Sequence, residues 1–548
     1  MVLLPRSVSP NVWNRANGIK RPGSTNWSQK IWGMGYRFAY LFFHCTTNRH
    51  QWQHRQKMKP KYTPQDNGIA YSEDAWRRDH IAYWRTVGSM IIYQQEKPRV
   101  SMKMHVLAGC GSFMAGLATI AKEMALDVIV YDKKYQSPML DQLEDHHIEM
   151  RNGYDHPLPA QKDTVVIGNA ISRGVPMLEG LLSARMSYLS GPEWLSKAVL
   201  ANRKTIAISG THGKTTTSSL FAWVLEVAKQ SPGFLVGGIP NNFNTSARKG
   251  DGQHFVIEAD EYDTCFSDKR PKFFHYPAEL LVINNLEFDH ADIYRDLDDI
   301  VKQFRYYLRT LIPGTKIVYP KRCKLLDKLV HEAGWCNACP THSTDIEQPW
   351  HIQPLADDWS KFTIMDGKKK PHVVKWDLFG QHNAGNALTV MRGAIELGLD
   401  IDMIVAALCS FQGVKKRMQR IGVSNDGKEV WDDYAHHPTA VKKVIAACRK
   451  RFKDNRLIIC FQLSNFTQSN GVMWQELVDA SADCDMVLLV DQGDKFPYQQ
   501  FKKAHQKPVE IISSETSQAA IQQLLAPNDK IITCSSRDCS IIHEKMLA

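Results

Sequence analysis

The chain has 548 residues, of which 43% are hydrophobic and 23% are charged, as in an ordinary soluble globular protein. This length predicts three or four domains. A net charge of +11 would suit a nucleic-acid-binding protein, but residues 1–103 hold 17 Lys/Arg against 5 Asp/Glu, whereas the remainder holds 51 against 52. The basic character therefore belongs to the N-terminal segment. Because that segment carries no docking motif, the sequence argues against nucleic-acid binding.

Membrane insertion and secretion are also disfavoured. No apolar run reaches the ~18 residues that a membrane helix needs. The 12 cysteines are scattered, unlike those of a secreted disulfide scaffold, which favours a reducing, cytoplasmic setting. One denser group consists of Cys323, Cys336, Cys339 and His342. It lacks the second ligand pair typical of zinc modules, so loop cysteines are favoured over a zinc knuckle.

Residues 1–103 differ from the rest of the chain, since no acidic residue precedes Asp66. An Arg-rich, acid-poor start is typical of an organelle transit peptide. The favoured alternative is an upstream extension without a fold of its own, with initiation near Met102 or Met104.

The segment 104–200 predicts a Rossmann-like domain. A strand at His105–Ala108 leads into the glycine-rich turn 109–116, then into a helix and a second strand that ends at Asp132. From the residues alone, this βαβ pattern suggests a dinucleotide site, although the glycine spacing is irregular. Asn169 follows a further strand, Thr164–Gly168, at an edge where ligands collect.

The segment 201–413 predicts a central ATP-binding domain. The strand Thr205–Ile208, the loop from Gly210 to Thr215 and a following helix form a shortened P-loop pattern. In such a loop Lys214 reaches the β- and γ-phosphates, and the Thr215 hydroxyl binds Mg²⁺.

Two further strands of this segment end in polar residues. The strand His254–Ile257 ends at Glu258, and Leu280–Ile283 leads to a polar run that includes His290. Carboxylates at such strand ends are suited to binding Mg²⁺ beside a phosphate loop. The alternatives are that the acids are solvated loop residues and that His290 is a hydrogen-bonded core residue. With the phosphate loop, these runs make three polar clusters at strand ends, and spacing alone does not choose among them.

The segment 414–548 predicts a second Rossmann-like domain. A basic linker is followed by a strand ending at Trp431, a helix at Ala440–Lys450, and strands at Leu457–Phe461 and Met486–Val490. Alternating strands and helices indicate parallel sheets, so the predicted fold class is α/β with three domains.

Five motifs together resemble the Mur ligases, the ATP-dependent amide-forming enzymes of peptidoglycan synthesis. They are GTHGKTTT at 210–217, EADEYD at 258–263, NNLEFDHAD at 284–292, GQHNAGNAL at 380–388 and DDYAHHPTA at 432–440. The resemblance covers about residues 104–548. It implies a UDP-sugar domain, a central ATPase domain and a closing C-terminal domain, and so reassigns the first glycine turn from a dinucleotide to UDP.

Within this family, the chain looks most like the branch that recycles cell-wall peptide. Its members join UDP-N-acetylmuramate to the murein tripeptide L-Ala-γ-D-Glu-meso-diaminopimelate, using ATP and Mg²⁺. The stretches 168–176, 267–276 and 284–292 favour this branch. The alternatives are an L-alanine-adding ligase and a degenerate ligase that binds nucleotides without turnover.

The resemblance also implies roles for individual residues. Lys214, Glu258 and His290 are expected to be catalytic, and Mg²⁺ ligands are expected at Thr215, Glu258 and His290. ATP contacts are expected at Gly210, Thr211, His212, Gly213, Lys214, Thr215, Thr216, His382, Asn383, Asn386, Arg417 and Asp433. UDP-sugar contacts are expected at Gly109, Gly111, Ser112, Phe113, Met114, Asp132, Asn169 and Arg173. His436 and His437 are expected near the substrate, with less support.

The C-terminal segment departs from the family pattern at two places. The run 461–467 lacks the arginine expected to bind an acidic peptide, and serine stands at position 464. The glycine-rich run expected before the last helix is replaced by Ser, Arg, Asp and Cys at 535–540. The peptide site is therefore expected to be altered, whereas the ATP and UDP-sugar sites are expected to be intact.

Overall fold

The computed structural model describes residues 102–290, 293–463, 471, 473–535 and 537–548. Most of the predicted N-terminal extension, residues 1–101, lies outside this range. Strands and helices alternate through the described part, which confirms the predicted α/β class. Among the described residues, none of the helices combines the length and the apolar character that a membrane crossing requires.

The first sheet has five parallel strands in the order β3-β2-β1-β4-β5. It begins at Lys103, one residue before the predicted start of the domain. The three inner strands, β1, β2 and β4, form because short apolar runs rich in valine and isoleucine are buried there. Their bounds are β1 Lys103–Leu107, β2 Asp127–Asp132, β3 Glu149–Asn152, β4 Thr164–Ile167 and β5 Leu189–Ser190. The helices are α1 Ser112–Glu123, α2 Met139–Asp145, α3 Pro176–Ser183 and α4 Gly191–Ala198.

The central sheet has seven strands in the order β12-β11-β10-β6-β9-β7-β8, and all pairs are parallel except β7 with β8. Its strands are β6 Lys204–Ser209, β7 Gly233–Leu235, β8 Ala247–Arg248, β9 His254–Glu258, β10 Ala278–Ile283, β11 Lys316–Pro320 and β12 Asn337–Thr341. Helix α5 Lys214–Val227 follows β6 after the four residues 210–213, so the strand, loop and helix occur in the predicted order. Helices α6 Leu297–Leu308 and α7 Lys324–Glu332 come next in the chain.

The first two sheets share one hydrophobic core, which includes residues from Met104 to Ala333. Helix α1 packs against β8 so closely that a Cβ on Gly116 would lie 3.0 Å from Cβ of Ala247. Gln142 accepts a hydrogen bond from the Ser246 backbone N–H at 2.8 Å, which adds a buried polar contact between the two parts. The first glycine turn is therefore held rigidly beside the central sheet.

A small antiparallel sheet and two helices complete the central part. The sheet consists of β13 His351–Pro354, β14 Lys361–Met365 and β15 Pro371–Lys375. Helices α8 Gln381–Glu396 and α9 Ile401–Ser410 pack against α5, so that α8 brings its N-terminus close to the phosphate loop.

The C-terminal sheet has six strands in the order β16-β17-β21-β18-β19-β20, and only the pair β16 with β17 is antiparallel. Its strands are β16 Gln419–Val423, β17 Glu429–Asp433, β18 Leu457–Gln462, β19 Met486–Val490, β20 Val509–Ile512 and β21 Lys530–Ser535. The helices are α10 Pro438–Arg451, α11 Trp474–Ala480, α12 Tyr498–Ala504, α13 Gln518–Leu524 and α14 Ser540–Leu547.

Candidate active site

A cavity of about 740 Å³ lies where the carboxyl ends of strands from the first, central and C-terminal sheets converge. In parallel sheets these ends are the usual place for ligands, because the loops that follow the strands meet there. All but three of the predicted site residues line the cavity. The three exceptions are Gly109, Gly210 and Arg173.

The phosphate loop enters the cavity between β6 and α5. Gly213 precedes α5 with φ = +80°, a left-handed conformation that glycine adopts without strain. Because the residue before the helix has no side chain, the helix N-terminus presents backbone N–H groups and positive potential to the cavity. Gly210, with φ = +122°, instead faces backbone atoms of Asn284 and Asn285, so it permits a close approach of two loops rather than lining the cavity.

Two asparagines that the sequence analysis did not single out hold this loop in place. Asn285 accepts from the His212 N–H at 2.8 Å and donates to the His212 carbonyl at 3.0 Å. Asn284 donates to the Thr217 hydroxyl at 2.9 Å. The polar run after β10 therefore fixes the shape of the phosphate loop. Its signal in the sequence is the pair of asparagines that directly follows β10.

Two carboxylates, one at the end of β9 and one just after it, bind the side chains of Thr215 and Lys214. The Thr215 hydroxyl donates to Glu258 at 3.0 Å, and Glu258 also accepts from the Gly237 N–H at 2.6 Å. Lys214 donates to both carboxylate oxygens of Glu261, each at 2.9 Å. One of those oxygens is 3.2 Å from Nε2 of His290.

Glu261 therefore links two of the predicted catalytic residues, although the sequence analysis assigned it no role. It is only 4% exposed, and its backbone carbonyl accepts from the Tyr294 hydroxyl at 2.6 Å. Oxygen and nitrogen ligand atoms of Asp260, Glu261 and His290 lie within 4.8 Å of one another, close enough for one metal ion. A sequence signal was present, since three acids fall within four positions at 258–261.

Burial and opposite charge set the protonation of this cluster. Burial lowers the pKa of Lys214, but the charges of Glu261, Asp260 and Glu258 outweigh it and raise the pKa above its usual value. Burial also opposes protonation of His290, yet the contact with Glu261 raises its pKa overall. Burial raises the pKa of Glu258. The cluster thus concentrates negative charge beside a fixed ammonium group, as a site for a cation and a polyphosphate requires.

The C-terminal part contacts the phosphate loop directly. Arg417 donates to the Thr215 hydroxyl at 3.2 Å, and its guanidinium lies 4.6 Å from the ring centroid of Tyr434. The ring of His437 lies 4.7 Å from that of His212, and its Nε2 is 3.1 Å from the Phe288 carbonyl oxygen. These contacts close the C-terminal sheet over the cavity.

Asp433 lines the cavity, but its carboxylate is occupied by the backbone. Its two oxygens accept from the N–H groups of Met418 at 2.7 Å and Ala435 at 2.6 Å. It therefore shapes the loop that carries Tyr434 and His436. A direct contact between Asp433 and a nucleotide stays a prediction.

The start of α8 forms another wall of the cavity, with His382, Asn383 and Asn386. Burial lowers the pKa of His382 to about 4, so this imidazole is neutral at pH 7. Asn383 donates to the Phe379 carbonyl at 2.8 Å. The Asn386 amide lies beside Gly213. Asn386 thus connects this wall to the phosphate loop, and the adenine contacts expected here stay predictions.

The first glycine turn forms the opposite end of the cavity, with Gly111 to Met114, Asp132 and Asn169 in its lining. Asp132 accepts from the Cys110 N–H at 2.9 Å, which fixes the turn against the end of β2. Six of the expected UDP-sugar residues therefore lie together at this end of the cavity.

Two predicted UDP-sugar residues do not reach the cavity. A Cβ on Gly109 would lie 2.3 Å from Cγ1 of Val130, so this glycine is required for close packing of the turn on β2. Arg173 is held by Glu179 through hydrogen bonds of 2.9 Å from both Nε and Nη2, and its side chain is 70% exposed. The expected ligand contacts at these two positions stay predictions.

The two runs that depart from the family pattern are described only in part. Residues 464–467, where the expected arginine is missing, lie outside the described residues, as does Ser536. The described neighbours form a polar group at the ends of β18 and β21. There Gln462 accepts from Cys539 Sγ at 2.8 Å, and Arg537 donates to the Gln492 side-chain oxygen at 3.3 Å.

Comparison with known proteins places these features in a family. Residues 208–393 match the Mur ligase middle domain, and residues 416–537 match the Mur ligase, glutamate ligase domain. The UDP-N-acetylmuramate–L-alanyl-gamma-D-glutamyl-meso-2,6-diaminoheptandioate ligase of Escherichia coli (strain K12) is 37% identical over 452 residues, which cover 81% of this chain and 98% of that protein. The ligase of the same name from Haemophilus influenzae is 36% identical over 449 residues, with the same coverage.

A solved structure agrees with the sequence relatives. The murein peptide ligase mpl of Psychrobacter arcticus 273-4 superposes with a TM-score of 0.65 at 32% identity, covering 81% of this chain and 98% of that one. The chain therefore belongs to the Mur ligase family.

Proposed function

We propose that this protein is an ATP-dependent, ADP-forming ligase that joins UDP-N-acetylmuramate to L-Ala-γ-D-Glu-meso-diaminopimelate. The observation that carries the proposal is the similarity to the Escherichia coli ligase named for these substrates, which extends over 98% of that relative. The cavity supports it, because a glycine turn for a UDP-sugar, a phosphate loop and a polar C-terminal wall face one space.

The reaction needs an activated carboxylate, because hydroxide is too poor a leaving group for direct attack by an amine. Transfer of the γ-phosphoryl group of ATP to the lactyl carboxylate gives ADP and an acyl phosphate. The amine of the tripeptide then attacks the acyl carbon, and the tetrahedral intermediate expels phosphate to leave the amide. Positioning of the reactants and neutralisation of charge supply most of the catalysis in such transfers.

The residues of the phosphate loop provide that positioning. The N-terminus of α5 and the Lys214 ammonium bind the phosphates, and Arg417 approaches the same point from the C-terminal part through its 3.2 Å contact with Thr215. Glu261 holds Lys214 with two hydrogen bonds, so the ammonium has a fixed place in the cavity.

The donor set also fits Mg²⁺. Hydroxyl and carboxylate oxygens of Thr215 and Glu258 meet at 3.0 Å, and Asp260, Glu261 and His290 gather within 4.8 Å. Hard oxygen ligands of this kind suit Mg²⁺. A bound Mg²⁺ supplies neutralisation of charge on the phosphoryl group.

The test is phosphate release by the purified chain with ATP, Mg²⁺ and UDP-N-acetylmuramate, offering tripeptide and L-alanine in parallel. We expect release that depends on the tripeptide. Release with L-alanine alone would assign the chain to the alanine-adding branch. Silence with both acceptors, while ATP and UDP-N-acetylmuramate still bind, would indicate a degenerate ligase.

A further inference from the structure

The C-terminal sheet contains a second cluster of metal-ligand side chains, outside the cavity. A carboxylate oxygen of Asp432, the sulfur of Cys539 and a ring nitrogen of His543 lie within 4.8 Å of one another. Each residue is no more than 6% exposed. None of the three lines the cavity described above. The cluster is therefore an enclosed site that the ligase reaction does not use.

The fold brings these donors together from two elements. Asp432 lies on β17, in register with Thr533 on β21. Cys539 immediately precedes α14, and His543 follows four positions later on the same helix, with its N–H bonded to the Cys539 carbonyl at 2.9 Å. Residues four apart on a helix share one face, so both side chains are directed to the same point. This spacing is one that metal sites on helices use.

A further thiol belongs to the same row of the sheet. Cys460 on β18 is in register with Thr533 on its other side, and it is 1% exposed. Cys460 packs in the core that includes residues of α14, whereas Cys534, which follows Thr533 on β21, packs in the core on the opposite face. Cys460 therefore lies on the α14 side of the sheet, although its sulfur is not among the three donor atoms that lie within 4.8 Å of one another.

The hydrogen bonds of the cluster leave the carboxylate poorly satisfied. Among the described residues, the Asp432 carboxylate accepts one side-chain hydrogen bond, from the Thr533 hydroxyl at 3.0 Å, and the Lys416 ammonium is more distant at 3.8 Å. The same hydroxyl is 3.0 Å from the Trp431 carbonyl and 2.8 Å from Nε2 of His543. One hydroxyl proton cannot serve all of these groups, and a buried carboxylate short of donors favours a cation.

We propose that Asp432, Cys539 and His543 bind a Zn²⁺ ion. A thiolate with an imidazole selects zinc over magnesium, because both are softer ligands than oxygen. Zinc-bound histidines hold their second ring N–H against an oxygen atom, and the Thr533 hydroxyl is so placed at Nε2, which leaves Nδ1 for the ion. One thiolate and one carboxylate balance the two positive charges of Zn²⁺, and the imidazole binds as a neutral ligand.

The site also accounts for a departure of this chain from its family. The glycine-rich run expected before the last helix is replaced, and one of the replacements is Cys539. Gln462 Oε1 accepts from its thiol at 2.8 Å, so a half-turn of the Gln462 amide would direct its NH₂ group to a thiolate once the ion has displaced the thiol proton.

The test is the zinc content of the purified full chain, measured by mass spectrometry after growth in zinc-supplemented medium and dialysis against Mg²⁺. We expect about one zinc per chain. Cys539→Ser and His543→Gln should each lose most of it. The matched control is Cys534→Ser, which removes a buried thiol from the opposite face of the C-terminal sheet and should keep the zinc.

A second measurement does not depend on the folding of the variants. The metal-free wild-type chain is titrated with Co²⁺, and a thiolate-to-cobalt charge-transfer band is expected in the near ultraviolet. A wild-type chain with neither zinc nor this band, or a Cys539→Ser chain that retains its zinc, would overturn the proposal. Neither result would bear on the proposed ligase activity, which is measured separately by phosphate release.

Discussion

Replacement of Gly109 by alanine tests whether the first residue of the glycine turn packs against the sheet or contacts a ligand. The new Cβ would lie 2.3 Å from Cγ1 and 3.3 Å from Cβ of Val130, and 3.4 Å from Cγ1 of Val106. Favourable carbon contacts are about 3.5–4.0 Å, so the first of these is too short by more than about 1 Å.

The overlap cannot be relieved cheaply. Val130 is fully buried in β2, and its β-branched side chain is restricted in χ1. Overpacking of this kind costs about 1–3 kcal/mol. We therefore expect Gly109→Ala to lower the free energy of unfolding by that amount, with a fall in Tm of about 2–10 °C.

Gly111→Ala is the matched control in the same turn. No heavy atom lies within 4 Å of its added Cβ, and its φ of −70° is ordinary for alanine. We expect a loss of at most about 1 kcal/mol, because alanine is a poorer N-cap than glycine. Gly111 lines the cavity, so its added methyl group should raise the KM for UDP-N-acetylmuramate.

The assay pairs thermal unfolding, followed by circular dichroism, with KM for UDP-N-acetylmuramate in the phosphate-release reaction. The expected pattern is a large fall in Tm for Gly109→Ala and a raised KM for Gly111→Ala. If Gly109→Ala unfolded at the wild-type temperature and instead raised KM more than Gly111→Ala, the packing argument would be refuted.

Three further predictions concern the phosphate loop and its surroundings. Lys214→Ala should lower kcat for phosphate release by at least about 100-fold, because it removes a positive charge from the phosphate site; near-normal turnover would contradict the assignment of the loop. Arg417→Lys should lower kcat/KM by about 10-fold or more, since lysine cannot both stack on an aromatic ring and reach Thr215, whereas Arg420→Lys, a half-exposed control paired with Glu429, should match the wild type. His382 has a pKa of about 4 in the folded chain against 6.5 unfolded, so the unfolded state binds more protons between these values, and lowering the pH from 7 to 5 should remove about 2 kcal/mol of stability. Urea unfolding of His382→Gln at both pH values should show a smaller loss, and an equal loss would exclude this histidine as the cause.

The sequence by itself determined the α/β class, the strand, loop and helix around Lys214, and the grouping of polar residues after Ile257 and Ile283. These features are local: β-branched runs form buried strands, glycines permit tight turns, and apolar spacing marks helices. Parallel strands then bring their carboxyl ends to one edge, so a list of strand-end residues already approximates the site.

Contacts between distant segments were decided only by the tertiary structure. That Glu261 joins Lys214 to His290 depends on the relative heights of three strand ends, which spacing does not encode. The same holds for the packing role of Gly109, which depends on a side chain in the next strand.

The metal ligands show the difference most directly. Sequence spacing drew attention to Cys336 and Cys339, which are neighbours along the chain. The donors that the fold gathers are Asp432, Cys539 and His543, more than 100 positions apart at their extremes. They meet because β17 and β21 pair in register and α14 packs across them, and strand register is a property of the assembled sheet rather than of any one segment.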